Sequence, residues 1–204
     1  MIPIIICSIF ALMIVIEKLS YFSSAEKNFL KFKEIIFEQL NKNKIKEALV
    51  MCEQNPSAVT RVLKAGIMNF GVSREAAKEA MLEAVDFESY LLENKCGILS
   101  AIVLITPLLG LLGTVTGMAQ SFYVIHLRSA SLAPVTTGEL ADGIWQALIT
   151  TVAGLMVAIF SLAAYKYLMS RIDNNVMELR RSAIELLDCL YLRLHINAPQ
   201  QEES

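Results

Sequence analysis

The stretch LITPLLGLLGTVTGMAQ, Leu104 to Gln120, decides how the chain is read. It is apolar enough for a membrane interior, yet it carries Thr106, Thr114, Thr116 and the glycines Gly110, Gly113 and Gly117. At helical spacing Thr106, Gly110, Thr114, Gly117 and Ser121 fall on one face, in steps of four, four, three and four. A helix built only as an anchor has no use for such a face. Small residues let a neighbouring helix come close, and hydroxyls bond across the contact or line a polar path. The stretch is therefore expected to be a membrane helix that packs against others and borders something hydrated.

Working outward, charge is absent from Ile98 to Ile125, from Gly143 to Tyr165 and from Ile2 to Ile16. These runs are three candidate spans in a chain of 204 residues, 55% of them hydrophobic, with a mean hydropathy of +0.51. The first run is shorter than the roughly 20 residues a span needs, so its helix is expected to continue past Glu17 and Lys18 through Tyr21 and Phe22. It lacks a basic leader and a small-x-small cleavage site, and reads as a retained span, not a signal peptide. The third span repeats the pattern of the second. Ala147, Thr151, Gly154, Ala158 and Ser161 follow in steps of four, three, four and three, with Gln146 and Thr150 on an adjacent face. Pro107 is read as a tolerated kink. Glu139 and Asp142 stand at the loop end of the third span, at the interface.

Between the first two spans the sequence changes character. From Glu17 to Lys95 there are twelve Lys/Arg and twelve Asp/Glu, with apolar residues recurring at three and four. Asn41–Asn43 and Asn55-Pro56-Ser57 read as breaks, Ser57 and Ser73 as helix starts, and Gly71 as a stop. No breaker stands between Ser73 and Gly97, so one helix is expected to run from there into the second span. The segments are 1–22 (first span), 23–95 (cytoplasmic helices), 96–125 (second span), 126–138 (periplasmic loop), 139–168 (third span) and 169–204 (cytoplasmic helix and tail). The sides follow from the positive-inside rule: the segment after the first span holds twelve Lys/Arg, the tail five and the short loop one. The fold class is thus all-α: a polytopic protein with three transmembrane helices, two of them long and extended into the cytoplasm, plus a helical cytoplasmic domain.

Several functions are excluded. A net charge of −2 without a basic stripe gives no footprint for nucleic acid. Cys7, Cys52, Cys96 and Cys189 show no paired spacing, and neither His126 nor His195 is near one of them, so no metal site or disulfide framework is expected. No nucleophile, acid/base or phosphate-loop motif occurs, so the chain reads as a non-enzyme without a cofactor.

At GLLGTVTGM (Gly110–Met118) and ADGIWQALITTVAGLMVA (Ala141–Ala158) the sequence resembles the MotA/TolQ/ExbB proton channel family. The likeness includes the short first span ending at Glu17-Lys18 and the ValLeuLysAlaGly run at Val62–Gly66. Three spans are similar to ExbB or TolQ and not to MotA. The resemblance implies a homo-oligomer, a pentamer, in the bacterial inner membrane. It would enclose single-span partners of the ExbD/TolR type, each with a membrane aspartate, and work with a TonB-like or Tol–Pal-type energy transducer. Ion flow down the proton-motive force would drive outer-membrane transport or envelope maintenance. The family's pathway threonines map onto Thr114 and Thr151, and Gln146 stands where well-studied members carry a glutamate. An amide cannot titrate. Either the partner's aspartate is the sole titrating group, with Gln146, Thr150, Thr114 and Thr151 around it, or Glu139 or Asp142 supplies charge at the pathway entrance. Gly110, Gly113, Gly117, Ala147, Gly154 and Ala158 are read as helix-packing residues. The alternative is an oligomeric membrane scaffold that conducts nothing.

Overall fold

The computed structural model describes residues 1–42, 44–130 and 137–197, those at 23–31, 41, 129–130, 137, 139–140 and 192–197 by backbone alone. Among the described residues there are six helices and no strand: α1 (Ile2–Asn41), α2 (Ile45–Gln54), α3 (Ala58–Asn69), α4 (Arg74–Glu93), α5 (Cys96–Ala130) and α6 (Thr137–Asn197). Three of them carry stretches long and apolar enough to cross a membrane: Ile2–Phe22, Cys96–Arg128 and Ala141–Tyr191.

Helix boundaries follow local chemistry. No glycine or proline interrupts Ile4–Asn41, and α1 runs on for 40 residues. Ser57 begins α3 with a reciprocal capping box: its hydroxyl accepts from Thr60 N at 3.3 Å, and Thr60 Oγ1 accepts from Ser57 N at 2.7 Å. Ser73 Oγ caps α4 by accepting from Ala76 N at 3.0 Å. Pro107 is absorbed within α5, which continues as helix to Ala130 and so takes up residues 126–130 of the expected loop. The remainder of that loop, with Pro134, lies at 131–136, outside the described residues.

One expectation is overturned. No single helix runs from Ser73 into the second span. α4 stops at Glu93, Asn94 turns to ψ 137°, and Lys95 takes φ 70° before α5 begins at Cys96. A left-handed residue ends helices and is usually glycine, because a Cβ is crowded there. Here a lysine holds that conformation, and its Nζ donates to Glu17 Oε1 at 2.5 Å. Gly97, two residues on, does not take a positive φ.

The chain divides into two compact units. One holds Met1–Lys18 and Lys95–Met169, the apolar parts of α1, α5 and α6. Much of its outer surface is large and apolar, including Ile5, Ile9, Leu104, Leu108, Leu111, Trp145, Leu148 and Val152. That is the surface expected of helices solvated by lipid or by other membrane helices. The other unit holds Leu19–Asn94 and Ser170–Ser204. Its core is a water-soluble type of bundle in which Ile36, Cys52, Leu63, Met81, Leu179 and Leu186 are all buried. Glu88, 2% exposed, is buried beside it and meets Arg61 through two bonds, Nε to Oε1 and Nη2 to Oε2, the second at 2.7 Å. Lys33–Glu185 (2.7 Å), Arg180–Asp86 (2.7 Å) and Arg74–Asp188 (3.0 Å) tie α6 to α1 and α4 at the surface.

Candidate functional site

In the spanning unit α5 and α6 meet along a seam of small residues. A Cβ added to Gly110 would lie 3.0 Å from Thr151 Cα, and one on Gly117 would lie 3.0 Å from Ala147 Cβ. One on Gly154 would lie 2.8 Å from the Thr106 carbonyl oxygen and 3.1 Å from Gly110 Cα. The two backbones therefore touch: at 154 a backbone oxygen leaves no room for a Cβ, and at 110 one would be tight. Ser121 and Gly143 close the seam at its other end.

Thr151 Oγ1 donates across the seam to the Gly110 carbonyl at 2.9 Å. Thr150 is buried in the same contact: a Cβ on Gly113 would lie 2.5 Å from Thr150 Oγ1, which itself donates to the Ala147 carbonyl at 2.6 Å. Thr106, fully buried, donates to Ile102 O at 2.5 Å. The structure thus brings Gly110, Gly113, Gly117, Ala147, Thr150, Thr151 and Gly154 together, and buries Ala158. On α5 it is Gly113 that meets Thr150. Thr114 is half-buried beside the seam and donates to Leu111 O on its own helix at 2.7 Å. Gln146 and Asp142 are exposed on α6, and the Glu139 side chain lies outside the described residues.

Gln146 and Thr151 stand five residues apart, about 140° around the helix, so they cannot share one face. Thr151 occupies the seam and Gln146 looks away from it. Ser121, on the small face read from the spacing, meets Gly143, which was not among the packing residues inferred from the sequence. The signal for Gly143 was present, because it opens the row 143, 147, 150, 154 with steps of four, three and four. Among the described residues no cluster of His, Cys, Asp or Glu is arranged to hold a metal ion, and Cys7, Cys52, Cys96 and Cys189 form no disulfide with one another.

Comparison with known proteins places this seam in context. The chain is 38% identical over 113 residues to the ExbB-like 1 biopolymer transport protein of Synechocystis, covering 55% of this chain and 44% of that one. It is 30% identical over 139 residues to a biopolymer transport ExbB homologue of Methanothermobacter thermautotrophicus, covering 68% and 48%. The chain thus spans about half the length of these two curated relatives. Against the Tol–Pal system protein TolQ of Pseudomonas aeruginosa it is 25% identical over 206 residues, covering 96% and 87%. The profile of one family matches residues 54–181, from α2 through the seam and into the second half of α6. With more than half of its length in that match, the chain belongs to the MotA/TolQ/ExbB proton channel family.

Proposed function

We propose that this chain is the channel-forming stator subunit of an ExbB/TolQ-type ion-driven motor of the inner membrane. It couples the proton-motive force to energised outer-membrane transport or envelope maintenance. The observation that carries this reading is the state of the hydroxyls at the seam. Thr114 and Thr151 each spend their proton on a backbone carbonyl, Leu111 and Gly110 respectively. Each oxygen is left as an acceptor only, and acceptors without donors favour water, hydronium or a cation over an anion. Gln146 adds an exposed amide that donates and accepts but cannot titrate.

The titrating group then comes from outside the chain. A single-span ExbD/TolR-type partner supplies a membrane aspartate, with Thr114, Thr151 and ordered water around it, while Gln146 presents its amide on another face of α6. Thr150, packed against Gly113, holds the helices together instead of lining the path. Glu139 and Asp142 sit at the pathway entrance. Five copies enclose the partner, and a TonB-like or Tol–Pal-type transducer receives the movement. The lysine and arginine distribution supports an orientation with the N-terminus and residues 126–138 in the periplasm, and residues 23–95 and 169–204 in the cytoplasm.

Thr114→Val is the informative variant, because the Thr114 hydroxyl bonds only within its own helix and its loss leaves the seam intact. A hydrogen bond to a charged group is worth about 1.5–3 kcal/mol, so partner-dependent proton flux should fall roughly tenfold or more with the oligomer preserved. Undiminished flux would overturn the hydroxyl-lined path. No flux from the native chain with its partner would favour the non-conducting scaffold.

A further inference from the structure

Pro107 stands inside the candidate span of α5 and carries no N–H. The Val103 carbonyl, four residues earlier, therefore lacks its helical donor, and the proline ring presses that oxygen off the helix axis. In a membrane interior such an oxygen must find its donor in a side chain, a neighbouring helix or water. The nearest threonines have no proton to give it. Thr106 Oγ1 donates to Ile102 O at 2.5 Å, and Thr151 Oγ1 donates to Gly110 O at 2.9 Å. We propose that the freed Val103 oxygen accepts from water or a hydrated cation. With Ser100 it extends the threonine-lined path toward the Cys96 end of α5. This assignment rests on the channel reading of the Thr114 and Thr151 hydroxyls.

The seam decides which way this oxygen faces. Gly110 meets Thr151, Gly113 meets Thr150 and Gly117 meets Ala147, so α5 and α6 run antiparallel. Thr114 follows Gly113 and Thr151 follows Thr150, each one step of about 100° off the contact. On antiparallel helices that step leads to the same side, so both hydroxyls border one flank of the seam. Pro107, Val103 and Ser100 precede Thr114 by seven, eleven and fourteen residues, close to two, three and four turns. They continue the Thr114 column along that flank. Ser100, Val103, Pro107, Thr114 and Thr151 are all half-buried, between the closed seam and the exposed Leu104, Leu108 and Leu111. From Thr114 the column descends to Thr151 beside Gly110, then to the Val103 oxygen and Ser100. Successive oxygens stand roughly 6–10 Å apart along the axis, gaps that one to three waters bridge at about 2.8 Å a step. The Val103 carbonyl, like the committed threonines, offers lone pairs alone, which suits hydronium or another cation over an anion.

Pro107→Ala restores an N–H that draws the Val103 oxygen back into the helix. In proteoliposomes holding the full chain with its ExbD/TolR-type partner, collapse of a pH gradient should slow roughly tenfold, as expected for losing one hydrogen bond to a charged group. The unfolding midpoint in detergent should hold or rise, because alanine suits a helix interior better than proline. Ser100→Ala should slow the collapse several-fold. Lactic acid at position 107, joined through an ester, brings neither the ring nor the N–H, and should return flux to within about twofold of native. That rescue separates the free carbonyl from the shape the proline gives the helix. Full flux in Pro107→Ala or Ser100→Ala while Thr114→Val still slows it, or equal loss in the alanine and lactate forms, would overturn this assignment and leave the channel reading standing. No flux from the native chain with its partner would overturn both.

Discussion

A methyl group at position 154 would press on the Thr106 carbonyl oxygen and the Gly110 Cα, backbone atoms that cannot swing aside. Gly154→Ala should therefore part α5 from α6 and destabilise the spanning unit by about 1–3 kcal/mol. Gly97→Ala, which meets nothing within 4 Å, should be neutral or slightly stabilising. Thermal unfolding of the two variants side by side in detergent checks this, and equal midpoints would contradict the close seam. At Cys52 burial is the leading cause that pushes the thiol up from 9.0 to about 11. The neutral thiol is favoured in the fold. Its contribution to stability is fully present below pH 9.0 and is lost as pH rises through about 11. The stability difference between the native chain and Cys52→Ala should thus be constant below pH 9 and change only above it, and a difference that varies with pH around neutrality would contradict the assignment. At this scale the sequence was legible down to the small faces but not to the atom. The row 110, 114, 117 and the row 110, 113, 117 both have helical spacing, and only packing shows that Gly113 enters the seam. Thr150 likewise could be a path residue or a packing residue until Gly113 was seen against it.

Helix starts were written plainly and one helix end was not. Ser57 and Ser73 carry hydroxyls where backbone N–H groups need acceptors, and both cap as their positions suggest. The break between α4 and α5 has no glycine at its left-handed position, so nothing in the residue types announces it. Lys95→Gly tests what the lysine costs there. Relief of the left-handed strain is worth roughly 1–2 kcal/mol, and the exposed pair with Glu17 returns about 0–1 kcal/mol. The unfolding midpoint should rise slightly or hold, whereas a fall by more than about 1 kcal/mol would show that the Glu17 pair outweighs the backbone term. The three apolar stretches were recoverable from the gaps in charge, because removing an ion from water is the dominant cost in a membrane and leaves the longest mark on sequence.

The molecule as a whole joins a lipid-facing unit to a bundle with a water-soluble type of core, and α1 and α6 contribute to both. Family membership could be inferred from two motifs, since the seam they encode needs glycines and threonines at fixed spacing. What the chain lacks is as telling as what it carries. With Gln146 in place of a carboxylate, no titratable side chain stands between Gly143 and Tyr165 except the phenol of Tyr165 itself, or from Ile98 to Tyr123 except the phenol of Tyr123. The direct measurement is collapse of a pH gradient in proteoliposomes holding the chain with and without its ExbD/TolR-type partner. Rapid collapse is predicted only with both present, abolished when the partner's membrane aspartate becomes asparagine and cut roughly tenfold by Thr114→Val. Equal flux from the chain alone, or full flux after either substitution, would contradict the account.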